Sequence, residues 1–251
     1  MRMLFFDSYS GFDTCMALGA LCDMTKNMAL AEKISKSIFP GAQISTENVR
    51  RGSGEGLLVH IDIGDRNDEC SMTEATKLIS ESRLDDDEKN KMMSWCNTVL
   101  SAYAEIHGCS EDEARGICKI GMRSLCETTV CRALIESMKI ECVAVSGLKK
   151  GAKDFEDGAA EYICKKRGIP FIDSDIRNKL ITLEGAALLS TLGAEPQSRC
   201  SGTVTACGYG AGATDFAETE NIVRAVLYDD GESVFELECE IEDVFSEFAV
   251  I

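Results

Sequence analysis

The sequence predicts an α/β fold, with α+β as the alternative, in which helices pack on a layer of mixed sheet. An apolar run at residues 3–7 has the pattern of a buried strand, and a helical pattern begins after it at Asp13. The middle of the chain is helical by periodicity, whereas the last third contains alternating strand patterns. Helices and strands are therefore intermixed along 251 residues, a length that can bury a sizeable core.

Local signals place the ends of the predicted helices. Pro40 ends one helix, and Ser71-x-x-Glu74 and Ser110-x-x-Glu113 have the form of capping boxes. An apolar stripe at helical spacing indicates a buried helix face formed by Met92, Cys96, Val99, Tyr103 and Ile106. We expect helices from Asp13, at 28–38, along that stripe, from about 111 to 139 with a break near Gly121, at 156–167 and around 185–192.

The predicted strands alternate or are continuously apolar. Two of them form a hairpin across Arg51-Gly52-Ser53-Gly54. We expect strands at 3–7, 42–49, 56–63, 142–146, 170–173 (as strand or loop), 201–209, 221–228 and 233–241.

Charge and hydropathy exclude several classes of partner. The chain has 26 basic and 43 acidic side chains and a net charge of −17, which disfavours binding to nucleic acid or to an anionic membrane. No stretch approaches the roughly 20 apolar residues of a membrane helix, and the N-terminal apolar run is too short for a signal peptide. We therefore expect a cytoplasmic protein.

Thirteen cysteines are the unusual feature of the composition. Cytoplasmic thiols stay reduced, the count is odd and no Cys-x-x-Cys occurs, so a disulfide framework is not expected. Most of these cysteines should be small buried hydrophobes. The two histidines, His60 and His107, are too far apart in sequence for a local zinc motif, and His107 is expected to end a helix before Gly108.

The segment Asp7-Ser8-Tyr9-Ser10-Gly11 joins the first strand to the first helix and is the stronger candidate site. Amides at a helix N-terminus bind anions, and small residues allow a ligand to come close. Asp7 stands at the carboxyl end of the strand, where α/β folds place ligating carboxylates. The alternative is that Asp7 or a serine simply caps the helix.

The glycine-rich run at 208–212, Gly208-Tyr209-Gly210-Ala211-Gly212, superficially resembles a nucleotide loop. A dinucleotide fingerprint must open a helix, however, and this run leads toward a strand instead. We interpret its glycines as residues that permit positive φ in a strand-to-strand connection.

Four blocks in order along the chain resemble the LarC family. They are Phe6-Asp7-Ser8-Tyr9-Ser10-Gly11 with Met16-x-Leu18-Gly19-Ala20-Leu21-x-Asp23, then Ala104-Glu105-Ile106-His107-Gly108, then Gly185-Ala186-Ala187-Leu188-Leu189, then the run at 208–212 with Asp215-Phe216 and Asn221-Ile222-Val223-Arg224. LarC-like proteins insert nickel into a pyridinium bis-thiocarboxylate mononucleotide, in a reaction that depends on CTP and a divalent ion such as manganese.

The resemblance implies a function and a set of site residues. If the chain is active, it is a CTP-dependent nickel insertion enzyme of the chelatase or lyase type, with nickel as its substrate ion. Asp7 and Ser10 would be catalytic. The cofactor-binding residues would be Gly11, Gly208, Gly210, Gly212 and Asp215. The mononucleotide precursor would be its small-molecule partner, and a homo-oligomer is left open.

Departures from the family pattern define an alternative. Cys15 and Cys118 stand where the family has an acid and a histidine, and the family's histidine-rich stretch after the first strands is absent. These two cysteines are therefore candidate metal ligands, of the kind that soft ions prefer. The chain could then be a non-catalytic, cysteine-based metal-handling or binding paralogue. A degenerate relative that acts only through protein contacts is the third hypothesis.

The resemblance also divides the chain. Residues 1–241 match the family's N-terminal region, in which two subdomains at about 1–147 and 148–241 are left open. Residues 242–251 resemble the start of a C-terminal domain that is truncated or absent, beginning near Glu240-Ile241-Glu242-Asp243-Val244. The enzyme hypothesis therefore expects a separate C-terminal half as a partner.

Overall fold

The computed structural model describes residues 1–8, 10–64, 66–151, 158–198, 200–216 and 219–229. The expected strand at 233–241 and the segment at 242–251 lie outside this part of the chain, as does Tyr9. The described helices are α1 Thr14–Thr25, α2 Met28–Ile38, α3 Met72–Glu81, α4 Asp86–His107, α5 Glu111–Ile117, α6 Met122–Ser137, α7 Ala159–Lys166 and α8 Leu183–Thr191.

The described strands confirm the α/β prediction. They are β1 Arg2–Asp7, β2 Gln43–Arg51, β3 Gly54–Asp62, β4 Glu69–Ser71, β5 Lys119–Gly121, β6 Cys142–Val145, β7 Leu148–Lys150, β8 Phe171–Asp173, β9 Glu195–Pro196, β10 Thr203–Ala211 and β11 Ile222–Asp229. Seven of them form one mixed sheet in the order β2-β3-β10-β11-β1-β6-β9.

Strand β1 lies inside this sheet, antiparallel to β11 and parallel to β6. Its side chains alternate between the two faces, as a strand requires. Leu4 and Phe6 enter the main core with the helices, whereas Met3 and Phe5 join a small separate cluster. The mixed sheet therefore carries most of its buried apolar surface on one face.

Helix α1 lies directly on strand β10, and the small residues of both elements explain how. A Cβ placed on Gly210 would lie 1.9 Å from the Met16 carbonyl oxygen, and one on Gly208 would lie 2.2 Å from the Ala20 carbonyl oxygen. On the helix side, a Cβ on Gly19 would lie 2.2 Å from the Leu57 carbonyl oxygen. The helix backbone thus packs against the sheet backbone, a separation that only glycine allows.

The middle of the chain follows its capping signals. Ser71 and Ser110 each form the expected capping box, with Glu74 and Glu113 respectively. The sequence predicts a helix over about 111–139 with a break near Gly121. The structure has two separate helices there, α5 and α6, because β5 lies between them and pairs with β4. That strand fixes where α6 begins.

Helix α4 follows its N-cap Asp85 and ends at His107, as predicted, with the C-cap Gly108 in the left-handed region. The first three positions of the predicted stripe, Met92, Cys96 and Val99, are fully buried. Ile106 at its end is 42% exposed, so the stripe is shorter than predicted. None of the described helices, α4 included, is both long and apolar enough to cross a bilayer.

We expect Gly210→Ala to lower the free energy of unfolding by about 1–3 kcal/mol or more, because the new methyl group overlaps backbone atoms of α1. Gly41→Ala is the matched control, since no atom lies within 4 Å of a Cβ at that position. Urea unfolding of both variants measures the difference, and equal midpoints would contradict the packing argument.

Candidate functional site

Two of the predicted site residues, Asp7 and Ser10, lie on the wall of one cavity of about 450 Å³. Asp7 ends β1, and Arg224 opposite it on β11 donates from Nη2 to Asp7 Oδ2 at 2.7 Å. We call this cavity the Asp7–Arg224 cleft, and it is lined by Asp7, Ser10, Gly54, Glu55, Tyr209, Glu220, Ile222 and Arg224. The cleft combines one guanidinium and two hydroxyls with three carboxylates.

Gly11 shapes the turn that leads from the cleft into α1. Its φ is +103°, and a Cβ at this position would lie 2.3 Å from the Leu180 carbonyl oxygen. The next residue, Phe12, donates its amide to the Leu180 oxygen at 2.8 Å and accepts from the Thr182 amide at 3.2 Å. Gly11 therefore lets the start of α1 lie beside the start of α8.

The hypothesis that Asp7 or a serine caps α1 is wrong. The cap is Asp13, whose Oδ1 accepts from the Met16 amide at 2.6 Å. Asp7 is consequently available to Arg224 and to the cleft.

The glycines at 208–212 have a different role from the one expected. None of these three glycines is among the positive-φ residues, so that interpretation is wrong: Gly208 and Gly210 lie in β10 and let α1 pack on it. Gly212 is enclosed by Asn221, whose carbonyl accepts its amide at 2.9 Å. Asp215 is exposed and does not line the Asp7–Arg224 cleft, whereas Tyr209 does. Cofactor binding by Gly11, Gly208, Gly210, Gly212 and Asp215 stays a prediction.

Three carboxyl groups meet where α1, α6 and α8 begin, and we call Asp13, Glu127 and Glu184 the three-carboxyl centre. Thr14 Oγ1 donates to Glu127 Oε2 at 2.6 Å. The Gly121 amide, at the N-cap of α6, donates to Glu184 Oε1 at 3.2 Å. Asp13 is the N-cap of α1 and Glu184 lies in the first turn of α8, so the positive helix N-termini partly offset the cost of enclosing these two acids.

Burial is the main influence on the acidity of this centre. It raises the pKa of Glu127 to about 7 and that of Asp13 to about 6, and repulsion between the carboxylates adds to both shifts. Sequence reasoning missed Glu127 and Glu184, because a single acid inside an apolar helical pattern carries no signal of what lies opposite it.

Glu127 also lines a second cavity, of about 390 Å³. We call it the Glu127 cavity, and it is lined by Cys15, Leu58, Val59, His60, Ile61, Asp62, Ile63, Gly64, Arg66, Asp68, Arg123, Glu127 and Ala213. Strand β3 supplies its wall, since β3 pairs with β10 at Leu57 and continues past the end of that strand.

The predicted metal ligands Cys15 and Cys118 lie in different surroundings. Cys15 lines the Glu127 cavity, whereas Cys118 is buried at the C-cap of α5. Burial raises the pKa of both thiols, that of Cys118 to about 11, so both are protonated near neutral pH when no metal is bound. Neither cysteine belongs to a group of three metal-ligating side chains in the described part of the chain. The two-cysteine site stays a prediction.

Among the described residues, one group of three side chains could hold a metal ion. It consists of Asp87, Glu88 and Glu136, whose ligand atoms lie within 4.8 Å of one another. The Lys91 ammonium lies among them, at 2.5, 3.1 and 3.2 Å from their oxygens. A side-chain cation therefore already occupies the centre of this cluster, and the cluster offers no donor of the soft kind.

We expect the stability of the protein to fall between about pH 4.5 and pH 7. Below that range Glu127 is protonated in both states; as pH rises, the unfolded chain ionises first, because burial raises the folded pKa from 4.5 to about 7. The shift corresponds to about 3 kcal/mol as an upper value.

Urea unfolding at pH 5 and pH 8 measures this loss. Glu127→Gln should reduce the pH dependence, and Glu81→Gln, an exposed acid on α3, should leave it as in the parent chain. A Glu127→Gln protein that keeps the full pH dependence would contradict the assignment.

Comparison with known proteins identifies a matching family model and several relatives of the chain. The family model described as nickel insertion protein matches residues 4–250. A relative from Syntrophobacter fumaroxidans is 27% identical over 235 residues, covering 90% of this chain and 60% of that protein. No solved structure matches the chain.

Two further relatives are named for their substrate. The pyridinium-3,5-bisthiocarboxylic acid mononucleotide nickel insertion protein of Staphylococcus epidermidis is 26% identical, covering 98% of this chain and 65% of its own length. The protein of the same name from a Nocardioides species is 24% identical, with 97% and 65% covered. The chain thus spans about three fifths to two thirds of the relatives' length. Because the family model matches nearly all of it, the chain belongs to the nickel insertion protein family.

Proposed function

We propose that the chain acts in nickel insertion, on the pyridinium-3,5-bisthiocarboxylic acid mononucleotide for which its relatives are named. The observation that carries the proposal is the Asp7–Arg224 cleft. Asp7 and Ser10, from the block that resembles the family's opening, line it together with an arginine held by Asp7. The non-catalytic, cysteine-based alternative is not favoured.

The chemistry of the cleft suits a phosphate-bearing co-substrate. The Arg224 guanidinium and the Ser10 hydroxyl can donate hydrogen bonds to phosphate oxygens. Glu55 and Glu220 add carboxylates, and hard divalent ions are bound by one or two carboxylates together with substrate phosphates. This donor set fits CTP together with a divalent ion such as manganese. When bound, the ion would activate the phosphate groups of the nucleotide. The role of Asp7 is to hold the Arg224 guanidinium toward the cleft.

Nickel enters the proposal as a substrate ion. The described residues offer no soft three-ligand group, since the group that they do form already surrounds Lys91. The sulfur atoms of the thiocarboxylate precursor are themselves soft donors of the kind nickel accepts. We propose that the precursor supplies the sulfur ligands and that the protein orients it.

The test is reconstitution with the chain, the precursor, nickel, CTP and manganese, plus the C-terminal region of a full-length relative as a separate polypeptide. Mass spectrometry measures the nickel-containing product. We expect product with the parent chain and at least a tenfold lower rate with Asp7→Asn, because Arg224 then loses its carboxylate partner.

Asp112→Asn is the control, since this carboxylate is 98% exposed on α5 and lines neither cavity. Absence of product with the parent chain under all these conditions would refute the proposed function. An unchanged rate with Asp7→Asn would refute only the role of the cleft.

A further inference from the structure

We propose that the Glu127 cavity holds the positively charged pyridinium ring of the mononucleotide, with the Glu127 carboxylate as its counter-charge. The inference rests on the proposed function for the identity of the ligand. It assigns the two nucleotide substrates to two different cavities.

The carboxylate of Glu127 has one oxygen left for a ligand. The residue is 7% exposed, and Thr14 donates to Oε2. No described residue donates to Oε1, although Glu127 lines the cavity. A nearly buried carboxylate that opens on a cavity with half of its acceptor capacity unused is a recognition group rather than a structural one.

The surroundings of Glu127 select for positive charge. Asp13 and Glu184 lie behind it and repel its ionised form. Arg123, one of two arginines that line the cavity, is engaged at 2.7 Å by Asp68. A ligand with a delocalised positive charge would relieve this repulsion, and a neutral ring would not.

One wall of the cavity is apolar and suits an aromatic ring. Leu58, Val59, Ile61 and Ile63 are buried side chains on and just after β3 that line it. Its volume of about 390 Å³ falls within the roughly 300–1,000 Å³ of cavities that hold small ligands. Polar and charged side chains, Glu127 among them, form much of the rest of the lining.

An arginine provides for the anionic groups of the same ligand. Arg66 lines the cavity and lies over the Phe39 ring at 5.2 Å from its centroid. Guanidinium groups pair with phosphate and carboxylate in a bidentate manner. The cavity therefore offers a carboxylate for the ring and the Arg66 guanidinium for the phosphate.

A metal ion is a poorer occupant of this cavity. Binding of an ion needs several donor atoms close together, and no group of three that includes Glu127 meets that condition among the described residues. A pyridinium ring spreads its charge over several atoms and needs a single carboxylate contact.

The experiment uses the full chain and two probes at pH 8, above the pKa of about 7 of Glu127. Nicotinic acid mononucleotide carries a pyridinium ring, and uridine monophosphate carries a neutral ring on the same ribose phosphate. Isothermal titration measures both. We expect the pyridinium probe to bind at least tenfold more tightly to the parent chain, and Glu127→Gln to remove most of that preference without weakening the uridine probe.

Glu88→Gln is the matched control, because Glu88 has the same residue type and the same 7% exposure but lines a different cavity. Arg66→Gln, a surface change, should weaken both probes by a similar factor. Thermal unfolding verifies that each variant is folded.

Each other outcome counts against the inference. An unchanged preference in folded Glu127→Gln protein would overturn it while leaving the nickel insertion proposal intact. Loss of pyridinium binding in Asp7→Asn instead would place the ring in the Asp7–Arg224 cleft. Failure of the parent chain to prefer the pyridinium probe, with product still formed in the reconstitution, would also overturn the inference and not the function.

Discussion

The contact between α1 and β10 is the constraint on which the rest of the structure depends. With glycine at three facing positions, the helix lies against the backbone of the strand, closer than side chains would allow. That contact fixes the height of Asp13 and Thr14 above the sheet. It also leaves the ends of β1 and β11 uncovered at the Asp7–Arg224 cleft.

From this packing follows an arrangement of opposed charges. The start of α1 comes to lie beside that of α8, and the N-cap amide of α6 donates to Glu184, so that positive helix ends lie beside Asp13 and Glu184. Glu127 and Cys15 line one cavity, and Asp7 and Ser10 line the cleft at the end of β1 together with Arg224 and two further carboxylates. Two cavities thus lie at two parts of one segment, residues 7–15.

Local structure was the part of this fold that the sequence could predict. The capping boxes at Ser71 and Ser110 and the helix end at Gly108 were identified correctly, because their signals lie within a few residues. The position of Asp7 at a strand end was likewise identified correctly, and the site there stays a prediction. The short strand β5 was missed, because it exists only through pairing with β4, about fifty residues away.

The same distinction applies to the site. Arg224 and Glu127 acquire their roles from partners far along the chain, Asp7 and Thr14, so no local pattern reveals them. Sequence analysis identified the glycines of β10 as special but gave the wrong reason. A position that needs space for a neighbouring backbone and a position that needs positive φ both require glycine, so the sequence does not distinguish them. Cys15 and Cys118 were noticed as substitutions, and substitution alone does not bring two side chains together.

Trp95 gives this arrangement an optical property. It is the one tryptophan of the chain and is fully buried in α4, and its indole Nε1 donates to the Glu184 carbonyl oxygen at 3.1 Å. Indole emission responds to the charge and polarity near the ring. The protein therefore contains a single intrinsic fluorophore attached to the backbone of its three-carboxyl centre, and its fluorescence reports on that centre without an added label.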